Sequence, residues 1–227
     1  MLKKLKRAAL GAGVPHAKTT AAIATVKMPL PAKIVLPMQQ HIGAPCTPVV
    51  QKGDTVQVGT LVGQAGGFVS ANIYSGVSGT VAGIETVTYT NGAKVQAVVI
   101  TPDGEQTVAA SVKPPVVTDR ASLVKAAQDC GLVGLGGAGF PTAVKLSPKD
   151  LSAIDTLVIN GAECEPYITS DNREFLECSE SVMRGIAAVK QHLGIKKVVI
   201  GIERNKPEAI DLMFSLVKND PDYSVMP

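Results

Sequence analysis

Two short runs hold the residues of this 227-residue chain whose types and spacing could do chemistry. The first, GLVGLGGAGFPTAVKL, places glycines at 131, 134, 136, 137 and 139, then Phe140 and Lys145. A backbone so poor in side chains can adopt positive φ and bring its N–H groups close to a flat or anionic ligand. The second run, TLVINGAECEPYITSD, carries Asn160, Glu163 and Glu165. An asparagine can both donate and accept, and its place directly after an apolar stretch argues against a mere surface residue. Glu163 and Glu165 alternate, so they point to one side if the segment is extended. Pro166 favours that conformation by pushing the residue before it out of the helical region.

These runs must be positioned by regular elements. Gly134, Gly136 and Gly139 satisfy G-x-G-x-x-G, but a dinucleotide fingerprint needs a strand directly before it. What precedes the loop is ASLVKAAQDC, which has helical spacing, with Leu123, Val124, Ala127 and Cys130 on one face and Thr118 or Asp119 as N-cap. The pattern predicts a helix over 120–130, the glycine loop, and a short helix over 141–147 with Pro141 near its start. Beyond it lie a strand over 156–160, a helix over 172–193 capped by Asp171 or Asn172, a strand over 197–202 and a helix over 206–218. The unbroken apolar run of TLVIN suits a strand covered by helices on both faces of a parallel sheet. Open sheets of this kind hold ligands at the carboxyl ends of their strands, so both runs are expected to line one crevice there.

Upstream the period changes. From residue 33 to 108, short apolar runs alternate with turn signals at Lys52-Gly53-Asp54, Asn91-Gly92 and Asp103-Gly104, which predicts a compact all-β sandwich or barrel. Residues 1–32 have no sustained period and read as an extended arm free to pack along the following domain. Its basic cluster, Lys3, Lys4, Lys6 and Arg7, suits either a solvated tail or contact with anionic lipid or an acidic partner. Residues 109–118, with two adjacent prolines, read as a stiff linker. The expected organisation is therefore an arm (1–32), a β domain (33–108), a linker (109–118) and an α/β domain (119–227).

Composition excludes several classes. A net charge of +3 without a basic field argues against nucleic acid as a partner. No window of eighteen apolar residues is present, so nothing here is expected to span a bilayer, and membrane association would come through a partner or the arm. Cys46, Cys130, Cys164 and Cys178 are widely spaced, without the C-x-x-C runs of zinc or cluster ligation, and are expected to be buried reduced thiols. With no secretory segment, a reducing cytoplasm fits. No histidine accompanies the paired glutamates, since His16, His41 and His192 all lie outside both runs. Acid–base catalysis would also leave the glycine loop without a role, so no catalytic side chain is expected.

Together, GLGGAGFPTAVKL and INGAECEPYITSD resemble the flavin-binding region of the C subunit of Rnf-type electron transport complexes. More distantly, they are similar to the NADH-oxidising, FMN-carrying subunit of respiratory complex I. The resemblance is dense over residues 119–205. It continues upstream through VQKGDTVQVGTLVG and YSGVSGTVAGI, which look like the barrel-sandwich hybrid of lipoyl and biotinyl carriers. The run SANIYSGVSG lacks the carrier lysine, which points to a docking or structural module and not to covalent carriage. The implied fold is an α/β domain with a parallel sheet, like the complex I flavin subunit but incomplete, preceded by an all-β barrel-sandwich hybrid domain.

The resemblance implies FMN and NADH as cofactors. The flavin would be held by Gly134, Gly136, Gly137 and Gly139 with Lys145, which otherwise is a solvated helix lysine. Phe140 would stack on a base or else sit in the core. Asn160 and Glu163 would contact flavin, and Glu165 would lie near the nicotinamide. Leu135 and Ala162 stand where complex I has arginine and aspartate, an apolar version shared by Rnf-like chains. The family also implies a longer chain with a cysteine-rich segment for two [4Fe-4S] clusters, which the four cysteines here do not form. The ending YSVMP reads as mid-pattern, so the chain is expected to be a piece that is inactive alone and binds FMN weakly. The implied activity is electron input to an ion-coupled NAD:ferredoxin oxidoreductase, with the other membrane subunits and ferredoxin as partners and a cytoplasmic, membrane-peripheral location. A cobalamin reductase of bacterial microcompartments shares the loops and the β module, and a non-catalytic scaffold is the alternative from another class.

Overall fold

The structure, a computed structural model, describes residues 15–227. The basic cluster Lys3, Lys4, Lys6 and Arg7 lies outside the described residues. By its internal contacts the chain divides into two units, one of residues 28–153 and one of residues 154–227 joined by the arm up to residue 27.

In the first unit the alternation of short apolar runs and turns builds seven strands: β1 (Ile34–Pro37), β2 (Thr47–Pro48), β3 (Thr55–Val56), β4 (Leu61–Gln64), β5 (Ile73–Tyr74), β6 (Gly79–Thr88) and β7 (Lys94–Pro102). They form two antiparallel sheets, ordered β1-β7-β6-β3 and β2-β4-β5. Their inner faces bury Met38, Val62, Ile73, Val81, Val98 and Ile100 in one core. At the β6–β7 hairpin, Gly92 takes the positive φ (+83°) that such a turn needs.

This unit does not stop at the proline-containing segment. Ala109 is buried and its N–H donates to Val58 O at 2.9 Å, while Val112 packs so closely on Gly59 that a Cβ there would lie 2.2 Å from Val112 Cγ2. Residues 109–112 of the stretch expected to be a stiff linker are therefore part of the packing, because Ala109 and Val112 offer small and apolar groups to the β unit. Helix α1 (Arg120–Asp129) and the single turn α2 (Thr142–Lys145) belong to the same unit. Asp119 caps α1 through a reciprocal pair, accepting from Ser122 N at 2.8 Å while its own N–H donates to Ser122 Oγ at 3.0 Å. The end of α1 is tied to the β module by the Tyr74 hydroxyl, which donates to Asp129 O.

The second unit is a three-stranded parallel sheet with helices: β8 (Thr156–Gly161), α3 (Ser170–Glu177), α4 (Ser179–Leu193), β9 (Lys197–Ile202), α5 (Pro207–Val217) and β10 (Tyr223–Met226). The strand order is β10-β9-β8, with Val158 opposite Val199 and Val225 opposite Ile200. Leu157, Ile159, Val198, Ile200, Ile202 and Val225 pack against Phe175, Ile186, Ala209, Met213 and Val217. Val158 and Met226 alternate with these and are 65% and 62% exposed. The helices thus pack on one face, not on both as the apolar run of TLVIN suggested. Each crossover steps the same way along the sheet, and right-handed connections then put successive helices on the same side. The expected helix over 172–193 is two helices broken at Cys178 (φ −127°, ψ 21°), and the closing YSVM is itself a strand. Helix α4 ends on Gly194 in the left-handed conformation, an ordinary glycine C-cap.

Candidate functional site

The glycine loop of the first unit closes on itself. Val133 bridges Pro141, Gly134 N–H donates to Phe140 O, and Thr142 N–H donates to Leu132 O, both at 2.9 Å. Four of its five glycines divide into two kinds. Gly131 (φ +65°) and Gly139 (φ +63°) are anchors: an added Cβ would lie 2.3 Å from Asn72 O at the first and 2.9 Å from Gln40 O at the second. Ile42 N–H donating to Ala138 O at 2.9 Å fixes the same corner. Gly136 and Gly137 are exposed, a Cβ on either would meet nothing within 4 Å, and among the described residues neither N–H has a protein acceptor. Lys145 is exposed and reaches back over the loop, its Nζ 2.7 Å from where a Gly134 Cβ would stand. Phe140 is 37% exposed and so keeps a face outside the core. At four residues, α2 is too short to supply a helix N-terminal anion site, and Lys145 is the cation beside the loop.

The acidic bend of the second unit starts where β8 ends. Gly161 is required there, because a Cβ would come within 2.4 Å of Phe175 Cε2 and 2.8 Å of Gly201 O. Asn160 is exposed, and its Oδ1 accepts from Ala162 N at 3.1 Å, which turns the chain out of the strand. Glu163 and Glu165 do not share a face: Glu163 is 3% exposed, and Glu165 is exposed. After Glu165 the chain turns at Pro166 and Tyr167, the latter at φ +70°.

Glu163 is fully engaged inside the unit. Its Oε2 accepts from Lys206 Nζ at 2.5 Å, and both side chains of the pair are 2% exposed. Its Oε1 accepts from Asp171 N at 2.7 Å, capping an otherwise orphaned N–H in the first turn of α3. Neither Asp171 nor Asn172 caps that helix; the N-cap position is Thr169. Lys18 of the arm donates to the carbonyls of Glu163, Glu165 and Ile168 at 2.7, 3.0 and 2.7 Å. Burial, together with the carboxylates of Glu163, Glu174 and Glu165, raises the pKa of Asp171, with Lys206 pulling the other way. Glu177 is held down to about 2 by the Thr25 hydroxyl and Arg173.

Three residues escaped the sequence reading. Lys206 stands just before the proline that opens α5, at the carboxyl end of β9, and that position was the available signal. Glu203 follows Ile202, the register partner of Gly161, and among the described residues its buried Oε2 has no hydrogen-bond partner. Lys18 lies 145 residues from Glu163, and no local pattern could have joined them. The cysteine expectation is corrected too. Only Cys46 is buried, with burial raising its thiol pKa, while Cys130, Cys164 and Cys178 sit exposed at a helix end, in the bend and at the helix break. Among the described residues no group of histidine, cysteine, aspartate or glutamate could hold a metal ion, and no helix is long and apolar enough to cross a membrane.

The nine residues expected to form the site thus fall in two sets. Gly134, Gly136, Gly137, Gly139, Phe140 and Lys145 belong to the first unit, and Asn160, Glu163 and Glu165 to the second. Comparison with known proteins covers both. A family profile described as "RnfC Barrel sandwich hybrid domain" matches residues 7–105, and one described as "Nuo51 FMN-binding domain" matches residues 127–227. Among curated relatives, the C subunit of the Na(+)-translocating ferredoxin:NAD(+) oxidoreductase complex of Acetobacterium woodii is 41% identical over 209 residues, which cover 88% of this chain and 47% of that protein. The C subunit of the proton-translocating ferredoxin:NAD(+) oxidoreductase complex of Clostridium ljungdahlii is 42% identical over 82% of this chain and 41% of its own. The C subunit of the ion-translocating oxidoreductase complex of Rhodobacter capsulatus is 40% identical over 87% of this chain and 39% of its own. The chain therefore spans less than half the length of these relatives.

Proposed function

Since the chain belongs to the family of Rnf-type complex C subunits, matching their barrel-sandwich and FMN-binding portions, we propose that it is the nucleotide-binding part of an electron-input subunit, taking FMN and NADH. The observation that carries this reading is the pair Gly136 and Gly137. Among the described residues their N–H groups have no protein acceptor, a Cβ would meet nothing there, and they lie in the stretch matched as FMN-binding. Backbone donors presented this way suit a phosphate or ribityl oxygen, and the exposed Lys145 adds a cation beside them. Phe140 offers a partly exposed ring for stacking. In the second unit Asn160 and Glu165 are exposed polar groups of the bend, and the Glu203 carboxylate oxygen, without a partner among the described residues, gives the same sheet edge an acceptor in need of a donor. Glu163 holds the bend from within.

FMN, when bound, supplies the chemistry by accepting hydride from NADH and releasing electrons singly. The chain's own groups bind and orient. Onward transfer to iron–sulfur clusters, to ferredoxin and to the other membrane subunits is assigned to the full-length protein, which on this reading is peripheral to the membrane on its cytoplasmic side. Fluorescence titration of full-length protein with FMN, followed by NADH addition, tests the proposal. Stoichiometric binding with bleaching of the flavin absorbance is expected. Loss of that binding in Gly136→Val, with an unchanged melting temperature, would tie it to the loop. Unaltered FMN affinity in that variant would refute the assignment.

A further inference from the structure

The described part of the N-terminal arm has no helix or strand, and its larger apolar side chains face outward, Ile23 being 57% and Val26 87% exposed. Its attachment is nevertheless dense, and it is directed at one stretch. His16 O accepts from Tyr167 N at 2.9 Å, Thr20 Oγ1 and Thr169 Oγ1 lie 2.7 Å apart, and Ala21 O accepts from Asn172 Nδ2 and Arg173 Nη1 at 3.3 and 3.1 Å. Thr25 N donates to Glu177 at 2.9 Å. At the centre is Lys18, whose ammonium makes three hydrogen bonds with three carbonyls of the acidic bend. An ammonium has three N–H donors, so this set uses its full capacity.

We infer that Lys18 is a positioning residue for nucleotide binding: it fixes the acidic bend in the conformation that presents Glu165 and Asn160 to ligand. Carbonyls 163, 165 and 168 converge within reach of one nitrogen, in a stretch that also carries Glu163, Glu165 and Asp171. Three partial negative charges facing one another repel unless a cation lies between them. Tyr167, in the same turn, holds a positive φ that a bulky side chain adopts only when its surroundings impose it, and its N–H is bound by His16 of the same arm. The arm thus supplies, from a distance in sequence, the charge that the bend lacks locally.

The inference rests on the nucleotide reading above, so its test has one arm that does not depend on that reading. In full-length protein, Lys18→Ala is expected to speed amide hydrogen exchange at Tyr167 and Asp171 at least about tenfold, and to raise KM for NADH by a similar factor with kcat little changed. Ethylammonium, a free primary ammonium, is expected to restore both in a concentration-dependent way. Tetramethylammonium, which has no N–H donor, should restore neither. Lys18→Met, which keeps the stem and removes the charge, should behave like Lys18→Ala and guards against loss of folding through a cavity. Unchanged exchange at Tyr167 and Asp171 overturns the inference, as does faster exchange with unaltered KM. Should the wild-type protein bind neither FMN nor NADH, the nucleotide reading falls on its own, and the exchange and rescue arm alone decides whether Lys18 sets the bend.

Discussion

At Gly139 an added methyl group would press on Gln40 O and His41 Cα; at Glu163 a carboxylate lies buried between Lys206 and the N–H of Asp171. Both segments are irregular, and both are held in one conformation, by opposite means. The glycine loop is shaped by missing side chains: its anchors let the backbone press against the β module, and its middle stays open. The acidic bend is shaped by charged side chains placed where water cannot reach, with backbone carbonyls gathered on an ammonium. The first kind of site tolerates changes of charge and resists changes of volume. The second reverses that order.

The sharpest way to break this contrast is to remove the cation from the bend. Lys206→Met leaves Glu163 charged and buried with one oxygen unpaired, which costs about 3–5 kcal/mol of stability. Chemical denaturation checks it, and the double change Glu163→Gln with Lys206→Met is expected to recover part of the loss, since two neutral groups need no mutual charge. A loss under about 1 kcal/mol for the single variant would mean that water reaches the pair and that the bend is not held by it.

The glycines sharpen the comparison from the other side. Gly139→Ala must place a Cβ in a left-handed residue 2.9 Å from Gln40 O and 3.0 Å from His41 Cα. Strain and overpacking together put the cost at about 2–3 kcal/mol. Gly136→Ala meets nothing within 4 Å and has no positive φ to strain. Its stability is expected to stay within about 0.5 kcal/mol of wild type while FMN affinity drops about tenfold. Equal destabilisation by the two substitutions would erase the distinction between anchor and open glycine.

How far the sequence carried follows the same division. The helix–loop–helix arrangement of residues 120–145 was legible because capping at Asp119, the apolar face of α1 and the density of glycines are local signals. The strands at 156–161 and 197–202 were legible for the same reason. Which glycines anchor and which stay open was not, since that depends on Asn72 and Gln40 arriving from the β module. In the bend, spacing alone put Glu163 and Glu165 on one side, but Glu163 is buried and Glu165 exposed, and Lys18 and Lys206 are distant in the chain from Glu163. Burial on one face of the sheet was hidden by composition, because Val158 is as apolar as its buried neighbours. Long-range charge pairing and one-sided layering are properties of the assembled chain, and no window of sequence contains them.

The smallest expected effect is also the one that separates the two segments by pH. Burial first, then the carboxylates of Glu163, Glu174 and Glu165, hold the Asp171 pKa above its usual value, and Lys206 only partly opposes them. The folded chain therefore binds this proton more tightly than the unfolded chain does. Stability from this group is present at pH values below the unfolded carboxyl value of about 4 and is lost as pH rises through the raised folded value, so at neutral pH the charge is a net cost. Asp171→Asn removes it while keeping the backbone N–H that Glu163 accepts from, and is expected to stabilise the protein by about 0.5 kcal/mol at pH 7, with the gain vanishing below about pH 4. Thermal melts of both proteins across that range provide the measurement. Residues 131–140 carry no ionisable side chain, so an apolar substitution confined to them should shift stability by the same amount at every pH. Were Asp171→Asn destabilising at pH 7, the attraction of its carboxylate to the first turn of α3 would outweigh the repulsion around it, and the bend would hold a balanced set of charges in place of an excess of negative ones.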